Sequence, residues 1–192
     1  VPALLQELQN EKFVVSSAFK PFKTKEGFSF SYGSLLIPVA LQNDTSEEVH
    51  MRLEKLQEKH QVQIHALSTG YSVQGVDLGS GNVRVVKKPK PLMIIGEGIR
   101  SYEAGEVWHL LDTRVGMPII KVHQHRFNQI DLESYNTLVL VSGSYNWDKE
   151  TIRKIQTWVN KGNTIVAIGT ANNALIKHKI INEKIVVKKK DS

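Results

Sequence analysis

Short apolar runs alternate with helical repeats in the second half of the chain. Four runs have the length and composition of buried strands, at residues 92–95, 118–122, 137–141 and 164–168. Segments with apolar side chains at helical spacing lie between or after them, at residues 101–114, after residue 148 and from about residue 171. Strands that alternate with amphipathic helices predict a mostly parallel sheet covered by helices on both faces.

The same pattern predicts where individual helices begin and end. Thr45 and Glu48 have the spacing of a capping box, and the apolar positions behind them predict a helix that runs to about Lys59. Asp148 is expected to cap the helix that follows it, and Gly162 stands where helices commonly end.

The first half of the chain is less regular. Residues 3–8 have helical spacing, and strands are predicted at residues 13–15, 28–30, 34–39 and 61–67. Residues 70–82 are rich in glycine and small polar side chains and are expected to form a loop. Two prolines bracket the basic segment 87–91, which predicts a boundary between a smaller α/β segment, residues 1–88, and an α/β domain, residues 89–192.

Composition narrows the classes of function. The 192 residues are 41% hydrophobic and 23% charged, as expected for one sizeable core or two modest ones, and no apolar run approaches a membrane span. The absence of cysteine excludes disulfides, thiolate metal sites and thiol catalysis. The net charge of +6 falls to zero without two lysine runs, at residues 87–90 and 188–190, so a nucleic-acid partner is not expected.

The chain starts Val1-Pro2 without a methionine and carries no visible secretory signal. We therefore expect it to be a piece of a longer protein, in which case the missing signal says nothing about the compartment of that protein.

Three small, polar turns follow predicted strands and form the candidate ligand site. Ligands of open parallel sheets bind beyond the carboxyl ends of the strands, and backbone amides at helix N-termini favour an anion there. Glycine and serine are also what tight strand-to-helix turns require, whatever their function. The residues of this crevice are Gly96, Glu97, Gly98, Ser142, Gly143, Ser144, Gly169, Thr170 and Asn172, with Ala171 between the last two.

Catalytic chemistry is weakly indicated. Glu97 would act as an acid or base only if it were buried in the crevice, and Ser144 is a nucleophile by residue type alone, with no assignable histidine partner. His123 and His125 are expected on one strand face, but two ligands do not make a zinc site. His109 and Asp112 have the spacing of a ligand pair on a helix, where an ordinary surface histidine is the better interpretation, and no metal site is predicted.

Residues 88–112 resemble the C-terminal region of bacterial, Bacteroidetes-type zinc carboxypeptidase-family proteins, and so do residues 68–70, 75–80, 140–145 and 158–163. The resemblance implies a class I glutamine amidotransferase-like domain, a three-layer fold of flavodoxin-like type. In that fold the turn after the strand at 164–168 carries a cysteine nucleophile, and this chain has Gly169 there.

The resemblance also implies a parent protein with a separate metallocarboxypeptidase domain, one zinc ion and export to the periplasm or beyond. The family's zinc ligands and catalytic glutamate have no counterpart in this chain, so no catalytic residue is carried over. The implied role is a non-catalytic accessory module whose partners are the peptidase domain, a peptide or cell-wall fragment, or a second copy of the chain.

Two other functions stay open on the sequence: a stand-alone hydrolase or amidotransferase that uses Glu97 and Ser144, and a small-molecule binding or sensor domain. Among the tryptophans, Trp108 and Trp158 are expected in the core, whereas Trp147 is a candidate for partner contacts.

Overall fold

The computed structural model describes residues 2–186, and the lysine run at residues 188–190 lies outside them. The chain divides into two compact units, Val1–Lys88 and Pro89–Ser192. The division falls within the basic, proline-bracketed segment 87–91. None of the helices in the described part is long and apolar enough to cross a membrane.

The first unit contains helices and two small antiparallel sheets. Its helices are α1 (Pro2–Asn10) and α2 (Ser46–His60), with a 3-10 turn at Val39–Leu41. Its strands are β1 (Ser16–Ala18), β2 (Phe22–Thr24), β3 (Ser29–Phe30), β4 (Leu35–Leu36), β5 (Ser72–Gly75) and β6 (Val83–Val85). They pair in the orders β4-β1-β6 and β3-β2-β5.

The predicted capping box is confirmed. The amide of Glu48 donates to Thr45 Oγ1 at 3.3 Å, and the Glu48 carboxylate accepts from the Thr45 amide at 2.8 Å. Helix α2 begins at Ser46 and ends at His60, one residue beyond the predicted end, where Gln61 takes a left-handed conformation with φ of 50°. Val49 and Leu56 bury the apolar face of this helix.

Three predictions in the first unit are wrong in detail. Residues 61–67 form no strand, because the chain there bonds back to α2: the Ile64 amide donates to Gln57 Oε1 at 2.8 Å. Residues 13–15 are not a strand either, although Phe13 and Val15 are buried in the core of the unit. The expected loop at 70–82 includes β5, which pairs with β2.

The second unit is built on a four-stranded parallel sheet, which confirms the predicted parallel sheet. The strands are β7 (Pro91–Ile95), β8 (Ile120–His123), β9 (Thr137–Leu140) and β10 (Thr164–Ala167), and their order in the sheet is β10-β9-β7-β8. The helices are α3 (Ser101–His109), α4 (Lys149–Asn160) and α5 (Ala171–Lys177), with a π-helical turn at Leu110–Val115 and 3-10 turns at Gln124–Gln129 and Leu132–Ser134.

The two central strands of this sheet carry its core. Leu92, Ile94, Leu138 and Leu140 are fully buried on one face, and Met93 and Val139 are buried on the other, as a sheet covered on both faces requires. The N-cap prediction is confirmed as well, because the carboxylate of Asp148 accepts from an amide in the first turn of α4 at 2.7 Å.

The tryptophans only partly follow the sequence prediction. Trp158 is buried as expected, and its indole N–H donates to the carbonyl of Leu132 at 2.8 Å. Trp108 is 41% exposed, so its assignment to the core is wrong: helix α3 presents its buried face at Ala104. Trp147 is buried beside Tyr145, 5.1 Å between ring centroids, which does not fit a role in partner contacts.

Candidate functional site

The strand order explains why two of the predicted turns are neighbours. From β7 the chain passes to β8 on one side, and β9 lies on the other side of β7. The order of strands therefore reverses between β7 and β9, and ligands of open parallel sheets bind at such a point. The turn from Gly96 to Gly98 leaves the carboxyl end of β7, and the turn from Ser142 to Ser144 follows β9.

Side chains of the same unit occupy three of the amides that the sequence offers to a ligand. The Ser142 amide donates to Glu103 Oε2 at 2.8 Å, and the Gly143 amide donates to Thr170 Oγ1 at 3.1 Å. In return, the Thr170 amide donates to Ser142 Oγ at 3.1 Å. An external anion at these three amides would have to displace a carboxylate or a hydroxyl of the chain itself.

A second set of bonds joins the turn after β7 to the turn after β9. The Ser144 amide donates to the Gly98 carbonyl and the Arg100 amide donates to the Ser142 carbonyl, both at 2.9 Å. Ile99 and Gly143 form an isolated antiparallel bridge. Gly143 has no room for a side chain, since an added Cβ would lie 2.8 Å from the Gly98 carbonyl oxygen. The structure thus brings all three predicted turns together and locks them to one another.

Gly169 lies in the turn after β10, where the sequence resemblance predicts the position of a nucleophile. Its φ of 56° is left-handed, a conformation that side chains other than glycine's rarely adopt. An added Cβ would lie 2.2 Å from Ser142 Oγ. A cysteine or serine at this position would therefore collide with Ser142, and the side chain of Asn172 instead donates to the Gly169 carbonyl at 3.1 Å.

Glu103 is the residue of this site that sequence reasoning missed. It lies in the first turn of α3, half-buried, 3.8 Å from the guanidinium of Arg100. Hydrogen bonds from the side chain and then the backbone amide of Ser142 lower the pKa of Glu103. The sequence does show that Glu103 is an acidic side chain in the first turn of a helix that follows a strand. A carboxylate at that point is usually explained by its favourable interaction with the helix dipole alone.

Glu97 and Ser144, the candidate catalytic residues, are both exposed. Their backbone carbonyls lie on the same rim, because Gln124 Nε2 donates to both, at 3.1 Å and 3.2 Å. The burial that would make Glu97 an acid or base is not observed. Among the described residues, no histidine is hydrogen-bonded to Ser144.

The histidine pair does not form the expected strand-face arrangement. His123 ends β8, but His125 lies in the 3-10 helix Gln124–Gln129, so the assignment of both rings to one strand face is wrong. Their ring centroids are 5.5 Å apart. His109 ends α3, and Asp112 lies in the π-helical turn; both are exposed. The described part of the chain contains no group of three side chains that could hold a metal ion.

Tyr145 lies on the buried side of the site. Its hydroxyl donates to the Val141 carbonyl at 2.6 Å. Burial, and then the charge of Glu103, raise the pKa of Tyr145, so the phenol stays protonated and does not serve as a base. His178 bonds to the Tyr145 carbonyl at 3.2 Å, which fixes the end of α5 against this loop.

Comparison with protein-family models, curated proteins and solved structures finds no match to this chain.

Proposed function

We propose that this chain is a non-catalytic accessory module of a zinc metallocarboxypeptidase-like protein. The observation on which this proposal rests is that three amides of the strand-end turns are already hydrogen-bonded to side chains of the chain itself. Ser142, Glu103 and Thr170 satisfy one another in the place where a catalytic turn would present free amides and a nucleophile.

The absence of a nucleophile at Gly169 supports the same function. Acyl-transfer enzymes that carry their nucleophile on a strand-to-helix turn need an exposed side chain there and unoccupied donors for the oxyanion. Here the turn has no side chain, the space for one is filled by Ser142 Oγ, and the nearby donors are engaged within the chain. The turn at Gly169 therefore lacks the side chain that covalent catalysis at that position would need.

The strand order supports assigning the second unit to a three-layer, flavodoxin-like fold of glutamine amidotransferase type. Four parallel strands in the order β10-β9-β7-β8 are joined by helical crossovers, and the order reverses between β7 and β9. In this proposal the second unit packs against a separate peptidase domain.

Zinc is assigned to the peptidase domain and not to this chain. The pair formed by His123 and His125 lacks a third ligand among the described residues, which does not fit a catalytic zinc site with three protein ligands. Export to the periplasm or beyond follows from the resemblance and is part of the same proposal.

An activity assay on the purified chain tests the proposal. The full chain is incubated with zinc and either a blocked dipeptide or glutamine, and release of the C-terminal amino acid or of ammonia is measured. We expect no turnover above a buffer control. Turnover that Glu97→Gln or Ser144→Ala abolishes, and that Glu183→Gln leaves unchanged, would overturn the proposal in favour of a stand-alone hydrolase.

The parent gene provides a second test. We expect the natural reading frame to encode a His-x-x-Glu zinc motif in a separate domain, and deletion of this module to reduce the stability or yield of that domain. A reading frame without such a motif would refute the assignment to a peptidase.

A further inference from the structure

A cavity of about 300 Å³ opens between α3 and the strands β7 and β8 of the second unit. It lies beside the strand-end turns and shares only Gly96 and Ile99 with them. Ligand-binding cavities usually span about 300–1,000 Å³, so this one has the volume for a small molecule or one amino-acid residue. The residues that shape it are Met93, Ile95, Ala104, Trp108, Lys121 and His123.

The walls of this cavity combine an apolar floor with a basic edge. Met93 is paired with Lys121, and Ile95 with His123, so the side chains of all four project from the same face of the sheet. Met93 is fully buried and Ile95 is half-buried, whereas Lys121 and His123 are exposed. A ligand that rests on the floor therefore meets nitrogen-bearing side chains along β8.

Lys121 has no acidic partner among the described residues. Its ammonium nitrogen lies 3.8 Å from the centroid of the Trp108 ring, and this cation–π contact holds both side chains at the edge of the cavity. Trp108 is 41% exposed, although it is one of the largest apolar side chains of α3. An aromatic wall and an unpaired ammonium at the edge of an apolar cavity are the features that a ligand with an apolar body and one negative charge would use.

Gly105 keeps the helical wall of the cavity open. It lies in the middle of α3, where glycine costs about 1 kcal/mol relative to alanine. An added Cβ at Gly105 would meet no atom of the chain within 4 Å, so packing within the chain does not explain the glycine. The missing side chain leaves space next to Trp108 that a ligand can occupy.

We propose that this cavity binds a small monocarboxylate with a branched aliphatic or aromatic body. The carboxylate pairs with the Lys121 ammonium, and the body packs on Met93, Ile95 and the Trp108 ring. The carboxylate comes either from a free organic acid or from the C-terminal residue of a peptide. This site is distinct from the strand-end turns, and the proposal does not depend on the accessory role of the module.

Other ligand classes fit the cavity less well. A phosphate needs several donors at close range, whereas Lys121 is the one ammonium that the described residues place beside this mostly apolar surface. A cationic ligand would be repelled by Lys121. A neutral apolar ligand would leave the unpaired ammonium unused.

Titration calorimetry with the full chain tests the proposal. The probes are isocaproate, its neutral counterpart isocaproamide, and the blocked dipeptide N-acetyl-leucyl-leucine. We expect the carboxylates to bind and isocaproamide to bind at least about tenfold more weakly, since it lacks the charge. Lys121→Gln should weaken carboxylate binding about tenfold or more, whereas Lys177→Gln, an exposed lysine on α5, should leave it unchanged.

A second variant tests the aromatic wall of the cavity without changing the charge of the chain. Trp108→Ala removes the aromatic wall at an exposed position and should weaken binding of isocaproate while the chain stays folded, as circular dichroism will show. Binding of isocaproate alone identifies a free acid as the ligand, and tighter binding of the dipeptide identifies a peptide C-terminus. No binding of either carboxylate, or equal binding by wild type and Lys121→Gln, would refute the proposal.

Discussion

The carboxylate of Glu103 accepts a hydrogen bond from the backbone amide of Ser142 at 2.8 Å. This bond joins the first turn of α3 to the turn after β9, two segments 39 residues apart in the sequence. It fills the position at which an anion would meet the strand-end crevice. The Glu103–Ser142 pair is therefore one of the contacts that occupy the amides of the crevice.

Replacement of Glu103 by glutamine should destabilise the chain at neutral pH and much less in acid. Hydrogen bonds from Ser142 lower the pKa of Glu103 below its usual 4.5, so the folded chain binds this proton more weakly than the unfolded chain. The stabilisation is therefore fully present above that usual value and is lost as the pH falls through the lowered pKa. Urea midpoints of wild type and Glu103→Gln, at about pH 7 and about pH 3, measure the effect.

The matched control is Glu106→Gln, which changes an exposed carboxylate of the same helix. It should shift the midpoint little at either pH. A Glu103→Gln deficit that stays constant from neutral to acid pH would show that the Ser142 bond does not depend on the charge.

Gly169→Ala should destabilise the chain by about 2–4 kcal/mol. The new Cβ would lie 2.2 Å from Ser142 Oγ and would hold a left-handed conformation. Ser142→Ala removes the oxygen and should recover part of that loss, so a double-mutant cycle in urea should give a coupling free energy well above zero. Additive effects would contradict the contact.

A second glycine provides the control for this substitution. Gly105→Ala, in the middle of α3 with open space around its Cβ, should stabilise the chain by about 0.5–1 kcal/mol. If Gly169→Ala destabilises the chain while Gly105→Ala stabilises it, the loss at Gly169 comes from the collision and not from alanine in general.

Thr45→Ala should destabilise the first unit by about 0.5–2 kcal/mol, because it removes the side chain that caps α2 and one half of the capping box. Ser46→Ala, one residue later and exposed, is the matched control. Thermal unfolding followed by circular dichroism measures both variants, and equal midpoints for the two would contradict the role of the cap.

Trp158→Phe should destabilise the second unit by about 1–3 kcal/mol. The buried indole N–H donates to the carbonyls of Leu132 and Tyr135, at 2.8 Å and 3.2 Å, and a phenyl ring leaves both without this donor. Trp108→Phe, at an exposed position, should cost about 0.5–1 kcal/mol or less. Urea unfolding measures both, and a larger loss at Trp108 would contradict the assignment of the core.

The sequence by itself determined the elements whose signals are local. Alternating apolar runs and helical repeats predicted the parallel sheet, and the side chains of Thr45 and Asp148 predicted the caps of two helices, because a cap is formed within four residues of chain. The same information placed Gly96, Ser142 and Gly169 on turns at one edge of the sheet.

Only the tertiary structure decided what those turns do. The bonds from Ser142 to Glu103 and from Gly143 to Thr170 join residues far apart in sequence, so no spacing could indicate that the amides are occupied. The position of Trp108 was likewise decided by a tertiary contact, because its ring lies against Lys121 of β8. Helical periodicity indicates which side chains share a face, but the contacts of that face depend on which strands lie beneath it.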